Sequence, residues 1–222
     1  MSDLPSAIDI EEQGPREGFQ IEPGPVATKD KIALIDALSA TGLQRIQIAS
    51  FVNTRLVPGW ADAEAVVSGF TPRPGVKYTA LFFNESGMKR AMAFHNKLTL
   101  EGYVALSASE AFLVKNMHRD RPAHMQAQRA TIQSHQAAGV PINALLIMAS
   151  FGCNFSGDVT PQQVVAAVQD GMDLAKEFNL TYDHVGIADS MGWATPARVA
   201  KVVGAVRERW PELEISLHLH DT

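Results

Sequence analysis

The sequence holds a single cysteine, Cys153, among 222 residues. One cysteine forms no intramolecular disulfide and excludes a cysteine-rich zinc site, so a reducing compartment suits the chain. Long apolar runs are missing too: none approaches the roughly 18 consecutive residues that span a bilayer. The first thirty residues are acidic and rich in Pro and Gly, without the basic and apolar blocks of a signal peptide. Positive charge is scarce, with 19 Lys and Arg against 24 Asp and Glu and a net charge of −5, which argues against a general nucleic-acid binder. The one basic cluster, Lys115 to Arg121, reads first as a solvated face and second as a contact for an anion such as phosphate. The expectation is a cytoplasmic protein that engages neither nucleic acid nor membrane.

What is present is apolar sequence in short pieces. At 46% hydrophobic residues the chain is long enough for a sizeable core, and residues 1–222 are expected to form one domain. Segments rich in β-branched residues, Ala7–Glu12, Arg45–Ser50, Tyr78–Phe83, Tyr103–Ser107, Ala144–Ala149, His184–Ala188 and Glu214–His220, read as strands. Between them the pattern predicts helices over Lys29–Ala40, Ala61–Gly69, Ser86–Leu100, Ala123–Ala138, Thr160–Phe178 and Thr195–Trp210. Thr160-Pro161 and Thr195-Pro196 each place a capping hydroxyl before a proline suited to the first helical position.

Seven strands alternating with helices imply a parallel sheet, either doubly wound or closed as a TIM (β/α)8 barrel. Two features favour the barrel. Polar and charged residues recur just after the strands: Arg16 and Glu17, Ser50, Asn84, Ser109 and Glu110, Asp189, then His218 and His220. In a barrel these positions share one mouth. The glycine-rich phosphate signatures of doubly wound nucleotide binders are also lacking. A full barrel has eight strands in typically about 250 residues, so the expectation is a barrel truncated after strand seven.

In 214-EISLHLH-220, Ile215, Leu217 and Leu219 alternate with Ser216, His218 and His220. Side chains two apart on a strand share a face, so both imidazoles can reach one cation. Ordinary edge-strand polarity is the plainer reading. After the first strand comes 14-GPREGFQ-20, where Gly14 and Pro15 read as a turn that sets Arg16 and Glu17 at a strand end. Glu17 joined to His218 and His220 makes two imidazoles and a carboxylate, a ligand set for a divalent ion with open positions.

Six stretches, 14-GPREGFQ-20, 48-IASFVNTRLVPGWAD-62, 106-LSASEAFLVKN-116, 150-SFGCNFSGDVTP-161, 186-GIADSMGWATP-196 and 216-SLHLHDT-222, resemble, in order and spacing, the 3-hydroxy-3-methylglutaryl-CoA lyase family of metal-dependent barrel enzymes. The resemblance implies retro-Claisen cleavage of 3-hydroxy-3-methylglutaryl-CoA or a similar 3-hydroxyacyl-CoA to acetyl-CoA and a keto acid, by a homo-oligomer. It implies that Glu17, His218 and His220 bind a divalent metal, Mg2+ or Mn2+, that Arg16 neutralises enolate charge, and that Asp189 moves a proton or supports the metal. Gln20 and Ser50 match positions near the substrate. Asn84, Arg55 and Lys115 match substrate or CoA contacts, with turn capping and surface charge as equal readings.

The chain departs from the family pattern in four places. Glu17 stands where the lyases usually have Asp. Gln47 replaces a usual strand-two glutamate and removes a charge. Asn154 replaces a usual proline, a minor change on sequence grounds. The family's strand-eight asparagine ligand and loop cysteine have no counterpart before Thr222, and Cys153 matches a packing cysteine with no positive charge evident near it. Two other readings follow: a condensing acyl-CoA synthase of the same superfamily, toward which Glu17 leans, and a non-catalytic fragment.

Overall fold

The computed structural model describes residues 5–22 and 24–220, in two compact units, Met1–Leu100 and Glu101–Thr222. The first unit carries a parallel sheet in the order β1 (Glu11–Glu12), β2 (Arg45–Ser50), β3 (Lys77–Leu81). Along β2, Ile46 and Ile48 are fully buried on one face, and Ala49 and Ser50 complete the burial at its C-terminal end. Burial alternates from Arg45 to Ile48 and becomes continuous only over Ile48–Ser50, where the strand is covered on both faces. Among the described residues α1 (Gly14–Ile21), α2 (Thr28–Leu38), α3 (Ala63–Gly69), α4 (Glu85–Met92) and a 3-10 turn at Pro58–Trp60 accompany the sheet.

Helix α1 corrects the expected turn. A proline in the first turn of a helix gives up no hydrogen bond, and an acidic residue there meets the positive end of the helix dipole. Pro15 and Glu17 occupy those places. Glu12 Oε1 accepts from the Gly14 amide at 2.5 Å, so the chain enters the helix directly from β1. The predicted first strand shrinks to two residues, and Ile8 and Ile10 are exposed. Helix α4 stops at Met92, short of the predicted Leu100, and successive turns follow, with the His95 ring donating to the Met92 carbonyl that a longer helix would use.

In the second unit the parallel order is β4 (Gly102–Ser107), β5 (Ile142–Met148), β6 (His184–Ala188), β7 (Ile215–His218). Helix α5 (Glu110–Phe112) runs into a π-helical turn at Leu113–Met117, neither of them foreseen. Helices α6 (Arg121–Ala138), α7 (Pro161–Phe178) and α8 (Pro196–Arg209) fall where the periodicity placed them. Asp120, Thr160 and Thr195 cap them, and Thr160 forms a reciprocal capping box with Gln163. Leu145 and Ile147 of β5, Val185 and Ile187 of β6, and Val164 and Val168 of α7 share one fully buried core. Arg121 of the basic cluster pairs with Asp170 of α7, in keeping with a surface role. Among the described residues no helix is long and apolar enough to cross a membrane.

Candidate functional site

In the first unit Arg16 and Glu17 lie on α1, between β1 and β2 in the chain, with Arg16 bonded to Gln47 of β2. Arg16 is held on three sides: its Nε donates to Gln47 Oε1 at 2.6 Å, and its Nη2 donates to Gln13 Oε1 at 2.9 Å and pairs with Glu17 Oε1 at 2.9 Å. The Arg16 side chain is 12% exposed and that of Glu17 33%. The main chain is fixed too, because the Trp60 indole N–H donates to the Arg16 carbonyl at 3.0 Å. Trp60 is itself buried under Lys31, whose ammonium lies 4.9 Å from the ring centroid and donates to Gly59 O and Asp62 Oδ1. Gly59 is required there, since a Cβ would sit 2.6 Å from the Phe19 carbonyl oxygen.

Ser50 lies at the C-terminal end of β2 with no exposure, and its hydroxyl is buried without a partner. A buried unsatisfied polar atom costs stability, so natural structures keep few of them, and a ligand is one reason for keeping one. Asn84 caps α4, its Oδ1 accepting from the Gly87 amide at 2.9 Å. It also borders a cleft of about 350 Å³ lined with Phe51, Asn53, Thr54, Ser86 and Arg90. Arg90 closes the cleft but is consumed by both oxygens of Glu64 and by the Val52 carbonyl. Gln20 and Arg55 are exposed.

In the second unit Asp189 follows β6 and is 1% exposed. It ties both histidines to the sheet: its amide donates to the His218 carbonyl at 2.8 Å, and its carbonyl accepts from His220 Nδ1 at 2.6 Å. A carbonyl only accepts, so His220 Nδ1 carries the proton of this bond and Nε2 is the nitrogen turned away from it. The two rings lie 5.0 Å apart, centroid to centroid, although β7 ends at His218 and the expected strand to His220 stops short of the second ring. Asp189 Oδ1 accepts from the Trp193 amide at 2.7 Å, while Oδ2 is buried and has no partner. Lys115 is exposed on the π-helical turn.

Cys153 is buried in the core of this unit, as its expected packing role requires. Burial alone pushes the thiol up, but hydrogen bonds from Ser109 and Ser156 and from the backbone at Phe155 and Ser156 outweigh it and hold the thiol below its ordinary value. The absence of nearby positive charge therefore does not leave it an ordinary thiol.

Three contacts escaped the sequence. Gln47, noted only for the charge it removes, is the partner of Arg16. Trp60 pins the Arg16 main chain. Asn154 is not a minor change: its Oδ1 accepts from the Trp193 indole N–H at 2.7 Å. The signal available beforehand was an aromatic residue after Gly192 in one strand-end loop and a hydrogen-bonding side chain where a proline is usual in the preceding one.

With this arrangement in hand, comparison with known proteins is informative. Residues 7–222 match the HMGL-like family model, and the chain belongs to that family. It is 35% identical over 218 residues to the hydroxymethylglutaryl-CoA lyase YngG of Bacillus subtilis, a match covering 98% of this chain and 70% of that one. The crystal structure of hydroxymethylglutaryl-CoA lyase from Pseudomonas aeruginosa superposes with a TM-score of 0.86 at 31% identity, over 100% of this chain and 70% of that one. A lyase from Acinetobacter baumannii, solved with coenzyme A and 3-methylmalate, gives 0.80 at 29% identity, over 99% of this chain and 68% of that one. The chain spans 65% of the length of the mitochondrial human relative. The α/β fold is thus that of the lyase TIM barrels, with seven of the strands present, and the resemblance read from the six motifs holds.

Proposed function

We propose that this protein is a carbon–carbon lyase that cleaves 3-hydroxy-3-methylglutaryl-CoA, or a similar 3-hydroxyacyl-CoA, to acetyl-CoA and a keto acid with the help of a divalent metal. Family membership and relatives named as hydroxymethylglutaryl-CoA lyases support the reaction class. The coenzyme A bound by the Acinetobacter relative supports an acyl-CoA substrate. The observation that carries the metal reading is the His218–His220 pair, its rings 5.0 Å apart at the end of β7, with the Asp189 carbonyl accepting from His220 Nδ1. A metal-bound histidine ordinarily donates its other ring N–H to such an oxygen. Glu17, His218 and His220 would hold Mg2+ or Mn2+, and the donor set of two imidazoles and a carboxylate fits a divalent ion with open positions. When bound, the ion supplies Lewis-acid polarisation of the substrate oxygens.

The chain's own groups account for the rest. Asp189, whose Oδ2 is buried and unpartnered, would take the proton of the substrate's tertiary hydroxyl. As that hydroxyl becomes a carbonyl, the electron pair of the breaking C–C bond passes to the acetyl-CoA fragment, which is an enolate until it takes up a proton. Arg16, mostly buried and held by Gln47, Gln13 and Glu17, meets the enolate oxygen's charge without reorganising. Ser50 and Gln20 contact the substrate, and Asn84 lines the cleft beside it. The lone buried cysteine suits the cytoplasm, and a homo-oligomer completes the reading.

Mn2+ titration followed by electron paramagnetic resonance tests the site, with acetyl-CoA release from hydroxymethylglutaryl-CoA as the companion assay. Glu17→Ala, His218→Ala and His220→Ala should each weaken Mn2+ binding by tenfold or more. Affinity unchanged in all three variants would end the metal assignment.

A further inference from the structure

The loops that follow β5 and β6 are cross-tied more heavily than packing alone demands. The Ala149 amide donates to Ser190 Oγ at 3.0 Å, and Ala149 holds a left-handed backbone with φ of 53°. An alanine in that region is strained and persists only where its surroundings fix it. The Asn154 amide points at Met191 Sδ, 3.1 Å away. The Trp193 ring lies flat against Gly152, where any Cβ would collide with it. Arg198 covers the ring from 5.4 Å while its Nη1 donates to the Phe151 carbonyl at 2.7 Å. The indole N–H then closes the clamp on Asn154 Oδ1.

The clamp reaches Asp189 directly. The Trp193 amide is the donor to Asp189 Oδ1, and the Asp189 carbonyl is the acceptor for His220 Nδ1. A shift of the 189–193 turn would therefore move the oxygen that orients the His220 ring, and would release the carboxylate whose second oxygen has no partner. We infer that Asn154 and Trp193 are positioning residues, a hydrogen-bonded clamp that holds Asp189 so that His220 presents Nε2 to the metal and Asp189 presents Oδ2 to the substrate. This rests on the reading of His218 and His220 as metal ligands.

The test compares Asn154→Ala, which deletes the acceptor, Trp193→Phe, which keeps a ring but loses the indole N–H, and Asn154→Asp, which keeps an acceptor oxygen. Asn154→Ala guards against loss of folding in the tryptophan variant. In the 15N-labelled 222-residue chain, solvent exchange of the His220 Nδ1 proton reports the Asp189 contact without any metal. Exchange should quicken at least tenfold in Asn154→Ala and in Trp193→Phe, stay near wild type in Asn154→Asp, and be no faster in the double variant Asn154→Ala, Trp193→Phe than in either single one, because both remove the same bond. Unchanged exchange in the two single variants overturns the clamp. Mn2+ affinity should weaken about tenfold in the same variants, the usual effect of losing an outer partner of a ligating histidine. Quickened exchange with unmoved Mn2+ affinity overturns the assignment of the clamp to the metal site. A wild-type chain in which Mn2+ fails to broaden the His218 and His220 resonances overturns the metal reading itself, while the exchange comparison still decides whether the clamp sets His220.

Discussion

Arg16 donates through Nε to Gln47 Oε1 at 2.6 Å, so a neutral amide braces this cation from β2. Glu17 is then the only carboxylate paired with Arg16 among the described contacts. A guanidinium braced by amides keeps more of its charge available to an incoming anion than one flanked by two carboxylates. Replacing Arg16 with Gln should lower kcat by about 10²–10³, the usual loss when one donor to a developing oxyanion is removed. KM should rise far less, because the contact strengthens only as enolate charge appears. Gln47→Leu should lower kcat by a smaller factor, since it loosens Arg16 without deleting it. Steady-state kinetics separates the cases, and an unchanged kcat with a raised KM would recast Arg16 as a residue that binds the ground state.

Ser50 offers a contrast between stability and activity. Its hydroxyl is buried with no partner, and deleting an unsatisfied group removes a desolvation cost. Ser50→Ala should leave the urea midpoint unchanged or raise the unfolding free energy by up to ~1 kcal/mol. If the hydroxyl serves the substrate, KM for the acyl-CoA should rise in the same variant. A variant that is destabilised and kinetically normal would make Ser50 a structural residue.

The pH dependence of stability should be set in part by two histidines that cover β4. Burial depresses both His124 and His135 below the ordinary imidazole value of 6.5, partly opposed by hydrogen bonds to the Ala105 and Thr131 carbonyls. Arg119 adds to the depression at His124. The unfolded chain thus takes up protons at a higher pH than the folded one. Stability is whole above about pH 6.5 and falls as pH drops through that value toward the folded pKa values. Urea midpoints between pH 8 and pH 5 should decline, and His124→Gln should flatten part of the decline. Stability that rises on acidification in this window would contradict the assignment.

How legible the molecule was depends on the range of the contacts concerned. Arg45–Ser50 and His184–Ala188 were read to the residue because each is a short segment carrying β-branched residues between helical patterns. Helices α7 and α8 were legible because Thr160 and Thr195 announce them. His218 and His220 were singled out by the period of two of a strand, although β7 itself ends at His218. Helix α1 was hidden: eight residues carry too little periodicity, and Gly14-Pro15 satisfies a turn as well as a first helical turn. The long-range pairs around the candidate residues were least visible. Arg16 and Gln47 are 31 positions apart, and Asn154 and Trp193 are 39 apart, while Gln, Asn and Trp advertise no chemistry of their own. A side chain that acts by holding another is specified by tertiary contact, which a single sequence does not print.

Lys31 gives the most direct test of how α1 is supported. Its side chain is 2% exposed, yet its charge is fully engaged: Nζ donates to Gly59 O at 2.5 Å and Asp62 Oδ1 at 2.6 Å and lies over the Trp60 ring. Breaking a buried pair by removing one partner is costly because the other charge is stranded. Asp62 is 25% exposed and keeps Thr28 Oγ1 as a donor at 2.7 Å, so the loss should sit at the low end of that class. Lys31→Met should therefore cost about 3 kcal/mol in urea unfolding. The Trp60 indole, freed of its cover, should also hold the Arg16 carbonyl less firmly. The variant should thus lose kcat beyond what its folded fraction explains, and it should do so with Mn2+ affinity intact if the imidazoles dominate metal binding. Assays well below the unfolding midpoint, at saturating substrate and metal, separate the two effects. A destabilised variant with wild-type kcat would confine Lys31 to the core and leave Gln47 as the principal brace of Arg16.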